Sequence, residues 1–332
     1  MRALILQAAR YPWRFASWLG REWSAFWHTP ADPVGLGMIR VLTGLMLLYS
    51  HAVWGLALED FFGEYGWVDR ELAQSAPGVD YNYSFWWYVP DAWLWPAYAA
   101  TMAVYAAFTA GLWTRASSIL AFIALVSYVQ RVPEALFGLD KLEIVLTFYL
   151  AVGASGGALS VDSWRKSRKT GPRSAPAWTP SAGANLGQRL IQVHMCIIYL
   201  FAGLDKLRGV SWWTGDALWL ALANHEYRTI DTTWLAWHPW ALNLLCHVSI
   251  ALELSFCVLV WFPMWRPLIL LGMVGLHVGI GATLGLWTFS LIMLVGCAGF
   301  LPNEGVRLAV DALARRLERP GPAARGAGRP RG

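Results

Sequence analysis

Lys206 closes the fifth apolar stretch, in the run YLFAGLDKLRG, with Asp205 just before it and the aromatic pair Trp212 and Trp213 following. Desolvation makes a lysine easier to deprotonate, and a neutral amine can serve as a general base. The alternative is a lysine that snorkels from a helix end to lipid headgroups, and the residues alone leave both readings open. Asp205, Asp140 and Trp213 are the residues expected to shape the surroundings of such a base.

Further ionisable side chains sit inside apolar stretches: Arg40, His51, His194, His247, Glu253 and His277, with Asp140, Lys141 and Glu143 near stretch ends. Each needs a partner, because an ionisable group in hydrocarbon is costly unless paired or hydrated. At 1.5 Å per residue, Arg40 and Glu253 both lie roughly 10–14 Å from the same end of their stretches. That depth predicts a buried ion pair, either an interhelical tie or a proton or anion site. His277 is read as an internal polar tie that could also touch a substrate. The histidines show no HxxxH or HExxH spacing and the four cysteines no CxxC, so no metal is predicted.

The elements that must position these residues follow from composition. The 332-residue chain is 57% hydrophobic and 14% charged, against roughly 45–50% and about 25% in soluble domains. Its environment is a lipid bilayer. Apolar windows run over 33–58, 93–113, 116–129, 141–158, 190–207, 241–261, 267–284 and 287–301, which predicts about eight helices. With both termini placed in the cytoplasm, 19 of the 26 basic residues fall on the inner side, as the positive-inside rule demands. Lys206 then lies near the outer boundary. The basic residues occupy loops rather than an aromatic-interleaved stripe, so no nucleic acid is expected as a partner.

Two runs, QRLIQVHMCIIYLFAGLDKLRGVSWWTGDALW and LHVGIGATLGLWTFSLIMLVGCAGFLP, together with RVLTGLMLL from Arg40 and GLDKLEIVL from Gly138, resemble the HTTM superfamily of membrane proteins. That group includes the vitamin K-dependent gamma-carboxylases and SdpB-like bacterial proteins that mature secreted peptides. The resemblance implies that Lys206 corresponds to the lysine that deprotonates vitamin K hydroquinone. It also implies that Asp140 and Lys141 correspond to an Asp-Lys pair near the substrate. Thr147 stands where the carboxylases carry a histidine, so the resemblance points to a quinol-using or peptide-modifying relative rather than a glutamate carboxylase. The implied cofactor is a reduced quinone, of vitamin K type or ubiquinol, and the implied partner an exported peptide.

The expectation is thus an all-α, polytopic transmembrane bundle in a bacterial inner membrane, with both termini cytoplasmic. An interfacial amphipathic segment over 1–32 precedes a membrane domain over 33–302, split into halves 33–158 and 190–302 by a flexible basic linker over 159–189. An amphipathic helix and disordered tail fill 303–332. Lys206 and Asp205 are the candidate catalytic residues; Asp140, Lys141, Trp212, Trp213 and His277 are the candidate substrate contacts; Arg40 and Glu253 are the candidate ion pair. The competing reading is a non-enzymatic membrane scaffold or maturation factor holding the same peptide or another membrane protein.

Overall fold

The computed structural model describes residues 2–67, 70–75, 83–170 and 178–318, with side chains from Trp13 to Arg316 except at 72, 75, 134 and 170. Among these residues the one strand-like feature is an antiparallel bridge between Ala31 and Ser181. The principal helices are α1 (Arg2–His28), α2 (Val34–Gly55), α3 (Leu94–Ala110), α4 (Thr114–Arg131), α5 (Gly138–Val152), α6 (Val161–Thr170), α7 (Ala182–Arg208), α8 (Pro239–Leu259), α9 (Arg266–Leu284), α10 (Trp287–Cys297) and α11 (Asn303–Glu318). Each of the eight apolar windows overlaps one of α2–α5 or α7–α10, several of which extend beyond it.

Four helices, α2, α7, α8 and α9, are long and apolar enough to cross a membrane, and a fifth span arises if α10 and α11, bent by 112° at their junction, are taken together. Helices α3 and α5 have 17 and 15 residues, about 22–26 Å at 1.5 Å per residue and short of a roughly 30 Å hydrocarbon core. They pack around α2 instead of standing alone. The shared core takes Ile39 and Leu47 from α2, Phe108 from α3, Leu146 from α5, Met195 from α7 and Phe256 from α8.

Where α7 meets α8, Gly203 sets the approach. A Cβ there would lie 2.8 Å from a Leu254 methyl carbon and 3.3 Å from the Leu254 amide nitrogen. Small residues let membrane helices close on one another, and this one fixes the neighbourhood of Lys206.

The 159–189 stretch differs from the flexible linker expected. Residues 161–170 form α6, whose start is capped by the Ser160 hydroxyl, which accepts from the Ser163 amide at 2.9 Å. Asp162 in its first turn and Arg168 and Lys169 in its last complement the helix dipole. Ser181 caps α7 in the same way, accepting from the Ala184 amide at 3.1 Å. The linker's residues 171–177 and the tail at 319–332 lie outside the described residues. At the chain's start, α1 runs unbroken with Trp13, Trp18 and Trp23 exposed, and α11 is tied back by Arg307, which donates to Asp32 at 2.5 and 2.8 Å.

Asp162 does a second job, because α4 starts with no cap of its own. Its carboxylate accepts from the Trp113 amide at 3.1 Å and from the Thr114 amide and hydroxyl at 2.7 and 2.8 Å. Burial works against the charge, but these hydrogen bonds and the nearby Arg165 outweigh it and hold Asp162 below the usual carboxylate range. Asp162→Asn keeps an acceptor oxygen but loses the charge, and should therefore cost about 1 kcal/mol at neutral pH, the difference between hydrogen bonds to a charged and to a neutral acceptor. The folded value lies below the ordinary 3.8, so the charge stabilises above that value and its contribution fades as pH falls through the folded one. Thermal unfolding of both proteins from about pH 7 to about pH 3 checks this. The gap should narrow toward the acid end, and a gap constant with pH contradicts the assignment.

Candidate functional site

Near the end of α7, Lys206 turns toward α8 and donates to both oxygens of Glu253, at 2.9 and 2.7 Å. The pair is largely enclosed, with the Lys206 side chain 21% and the Glu253 side chain 8% exposed. Trp212, one turn beyond the end of α7, places its ring 5.1 Å from Nζ, close enough for a cation–π contact. Glu253 follows the start of α8 at Pro239 by about 21 Å at 1.5 Å per residue, well inside a spanning helix. Phe201 and Leu204, on the same stretch of α7, are exposed at 65% and 42%, so lipid reaches the flank of the site.

This corrects one expectation. Arg40 and Glu253 share a depth but not a neighbourhood. The Arg40 guanidinium is fully buried and donates to the Ser155 carbonyl at 2.5 Å, to the Ala158 carbonyl at 3.3 Å and to the Leu159 carbonyl. It closes the turn after α5, while Glu253 takes Lys206. Depth along a helix fixes one coordinate of a side chain, and the packing of neighbours decides the other two.

Of the other expected residues, His277 lies in the same half as Lys206 and joins a buried relay. Its Nε2 shares a hydrogen bond with the Tyr199 hydroxyl at 2.8 Å, and that hydroxyl lies 3.2 Å from the Cys297 thiol. The His277 Nδ1 is buried with no partner among the described residues. Trp213 turns away, donating from Nε1 to the Leu207 carbonyl at 2.8 Å. Asp205 is exposed and forms no ion pair or side-chain hydrogen bond with Lys206 among the described residues. Asp140 is buried in the other half, where it caps α5 by accepting from the Phe137 amide at 3.0 Å, and Lys141 is exposed. The structure thus brings together Lys206, Glu253 and Trp212 with His277 nearby, and leaves Asp205, Asp140 and Lys141 apart.

Sequence reasoning missed a second polar cluster, between α2, α3, α4 and α5. His51 donates from Nδ1 to the Leu47 carbonyl at 2.9 Å, which leaves Nε2 to accept from the Tyr105 hydroxyl at 3.0 Å. The Ser50 hydroxyl lies 3.4 Å from both oxygens of Glu143, a carboxyl with no exposure. Tyr128 packs against His51 with ring centroids 4.2 Å apart and the rings tilted by 48°. The available signal was the presence of His51 and Glu143 in apolar windows. Tyr199 gave no such signal, since a tyrosine in a membrane helix is ordinary.

No group of three His, Cys, Asp or Glu side chains converges as a metal site among the described residues, and the four cysteines are free. A small aromatic headgroup with hydroxyls does suit the Lys206 site. The pair offers a donor and an acceptor together, Trp212 offers a flat ring, and the exposed flank of α7 opens toward lipid.

In comparison with known proteins, the family model described as HTTM domain matches residues 28–304. Nothing among the curated proteins or the solved structures matches the chain.

Proposed function

The chain belongs to the HTTM domain family, and from that premise we propose that it is a membrane enzyme in which Lys206 removes a proton from a hydroxyl of a bilayer-soluble substrate. The observation that supports this is the Lys206–Glu253 pair, set deep in the bundle and 21% open at the lysine. In water such a pair stays charged. Inside a membrane, desolvation brings the charged and neutral forms of an ammonium–carboxylate pair closer in energy. Glu253 can therefore take a proton from Nζ onto a carboxylate oxygen, and the freed amine can accept one from a substrate hydroxyl. Trp212 excludes water on one side, and Tyr199 with His277 provides the next buried groups able to pass a proton onward.

The substrate or cofactor class that suits these residues is a reduced quinone, of vitamin K type or ubiquinol, whose bound hydroxyl supplies the proton and whose ring supplies reducing equivalents. Lys206 and Glu253 would hold its hydroxyl and Trp212 its ring. The downstream target in this reading is an exported peptide or small lipid. The membrane is a bacterial inner membrane with the basic end of the bundle in the cytoplasm, which puts the Lys206 end toward the outside.

A scaffold reading has one observation in its favour. Both Glu253 oxygens are engaged by Lys206, as in a tie that holds α7 to α8. The test uses the 22 tryptophans of the chain as reporters. Menaquinol and ubiquinol analogues are titrated into purified wild type and Lys206→Arg. The enzyme reading expects saturable quenching by one quinol, with at least a tenfold loss of affinity in the arginine variant, which keeps the charge but cannot cycle a proton. Quenching by neither quinol, or equal affinity in both proteins, favours the scaffold.

A further inference from the structure

At the basic end of the bundle, an apolar trough of about 1100 Å³ runs between α2, α6 and α11. Its floor is Met38, Val41 and Leu42, in the first three turns of the spanning helix α2. One wall is Val161 and Trp164 of α6, and the other is Val310 and Leu313 of α11. Trp164 and Leu313 are exposed at 52% and 59%, so both amphipathic helices hold apolar side chains at the level where a bilayer meets water. Such helices lie in the interfacial plane.

The trough has a charged head. Arg168 lines it and stacks its guanidinium 4.1 Å above the Trp164 ring. No described acid pairs with it. Asp162 is engaged by Trp113 and Thr114 and Asp32 by Arg307, and Asp311, beside the wall residue Val310, forms no ion pair with Arg168 among the described residues. Nor do residues 171–177 and 319–332 contain any Asp or Glu. Arg165, Lys166 and Lys169 share the ten-residue helix with Arg168, so the field at this mouth is strongly positive. A planar guanidinium offers a fork of donors that matches phosphate oxygens.

We propose that this trough binds one anionic phospholipid, with an acyl chain along Met38, Val41 and Leu42 and the phosphate on Arg168. Charge selects among membrane lipids here: an apolar furrow alone would accept any acyl chain, whereas an unpaired arginine at its mouth favours a headgroup that keeps a net negative charge. The site is separate from Lys206 and independent of any catalytic role.

Native mass spectrometry of the full chain, released from mild detergent after titration with phosphatidylglycerol, phosphatidylcholine or glycerol phosphate, tests it. The expected result is one phosphatidylglycerol retained at least tenfold more tightly than phosphatidylcholine, with glycerol phosphate unable to compete because it lacks the chain. Arg168→Gln should abolish the preference for the anionic lipid. Leu42→Trp, which fills the floor, should lower retention of both lipids, and unfolding temperatures near that of wild type show that either variant is folded. Equal retention of the two lipids by wild type, an unchanged preference in Arg168→Gln, or equal competition by glycerol phosphate would each overturn the proposal.

Discussion

Lys206→Met lowers the unfolding free energy by about 3–5 kcal/mol, the usual cost of stripping one partner from a buried ion pair. The asymmetry in exposure sets the direction of the cycle. Glu253, 8% exposed, has no other described partner for its carboxylate and is left buried without one. Glu253→Gln leaves Lys206, which is 21% exposed at a helix end, and a long flexible lysine can swing toward water or headgroups. The glutamine variant should lose less, about 1–2 kcal/mol. The double variant Lys206→Met, Glu253→Leu removes both charges and their desolvation cost, and should recover most of the loss, since a well-packed apolar pair often equals a buried ion pair in stability. Denaturant unfolding in detergent, followed by tryptophan fluorescence, measures the cycle. A coupling energy near zero would mean that Lys206 and Glu253 do not meet in the folded protein. The double variant also separates the two functional readings: a folded protein that binds no quinol supports proton chemistry at the pair, whereas one that keeps every function of wild type reduces the pair to a tie.

The fold was largely legible because a bilayer imposes a simple rule on sequence. Apolar windows long enough to bury their own backbone become helices, and the eight windows from 33–58 to 287–301 each overlap one, four of them long and apolar enough to span, or five with the bent α10–α11 pair. The short hydrophilic stretch at 161–170 was harder. Its composition reads as linker, yet Ser160 at its start and the charges at its two ends are enough to hold a helix once Asp162 also caps α4. Within the site, Lys206 was visible as an odd residue in an apolar run, and its neighbour Trp212 by adjacency. Glu253 was visible as an odd residue too, but its partner was not: Lys206 and Arg40 are both cations, and the choice between them depends on α8 packing along α7, where Gly203 lets Leu254 close in. Tyr199 and His277, 78 positions apart, meet through helix packing that no spacing announces. Asp205 stood beside Lys206 in sequence, but neighbours in a helix point about 100° apart, and its side chain faces outward.

Arg40→Met should cost about 2–3 kcal/mol, and two opposing effects set that figure. The guanidinium serves three carbonyls, those of Ser155, Ala158 and Leu159, and leaving a buried acceptor unsatisfied costs roughly 1–3 kcal/mol each. Against this, the variant no longer buries a charge with no carboxylate in direct contact, which returns part of the loss. The carbonyls also lie in the turn after α5 at the basic end of the bundle, where water can replace some of the lost donors. Arg40→Lys should recover little, because one ammonium cannot reach three carbonyls that a planar fork spans. Gly111→Ala tests the same contact from the other side. Gly111 sits at φ +68°, and a Cβ there would fall 2.9 Å from the Arg40 Cζ and 2.4 Å from the Ser160 Cβ. Any non-glycine residue is strained in that conformation, and this one would also push the guanidinium off its carbonyls. If the contact holds the turn, Gly111→Ala and Arg40→Met lower the unfolding temperature by similar amounts, and the double variant loses less than the sum, because each disrupts what the other depends on. Fully additive losses would mean that Arg40 and Gly111 act on separate parts of the fold.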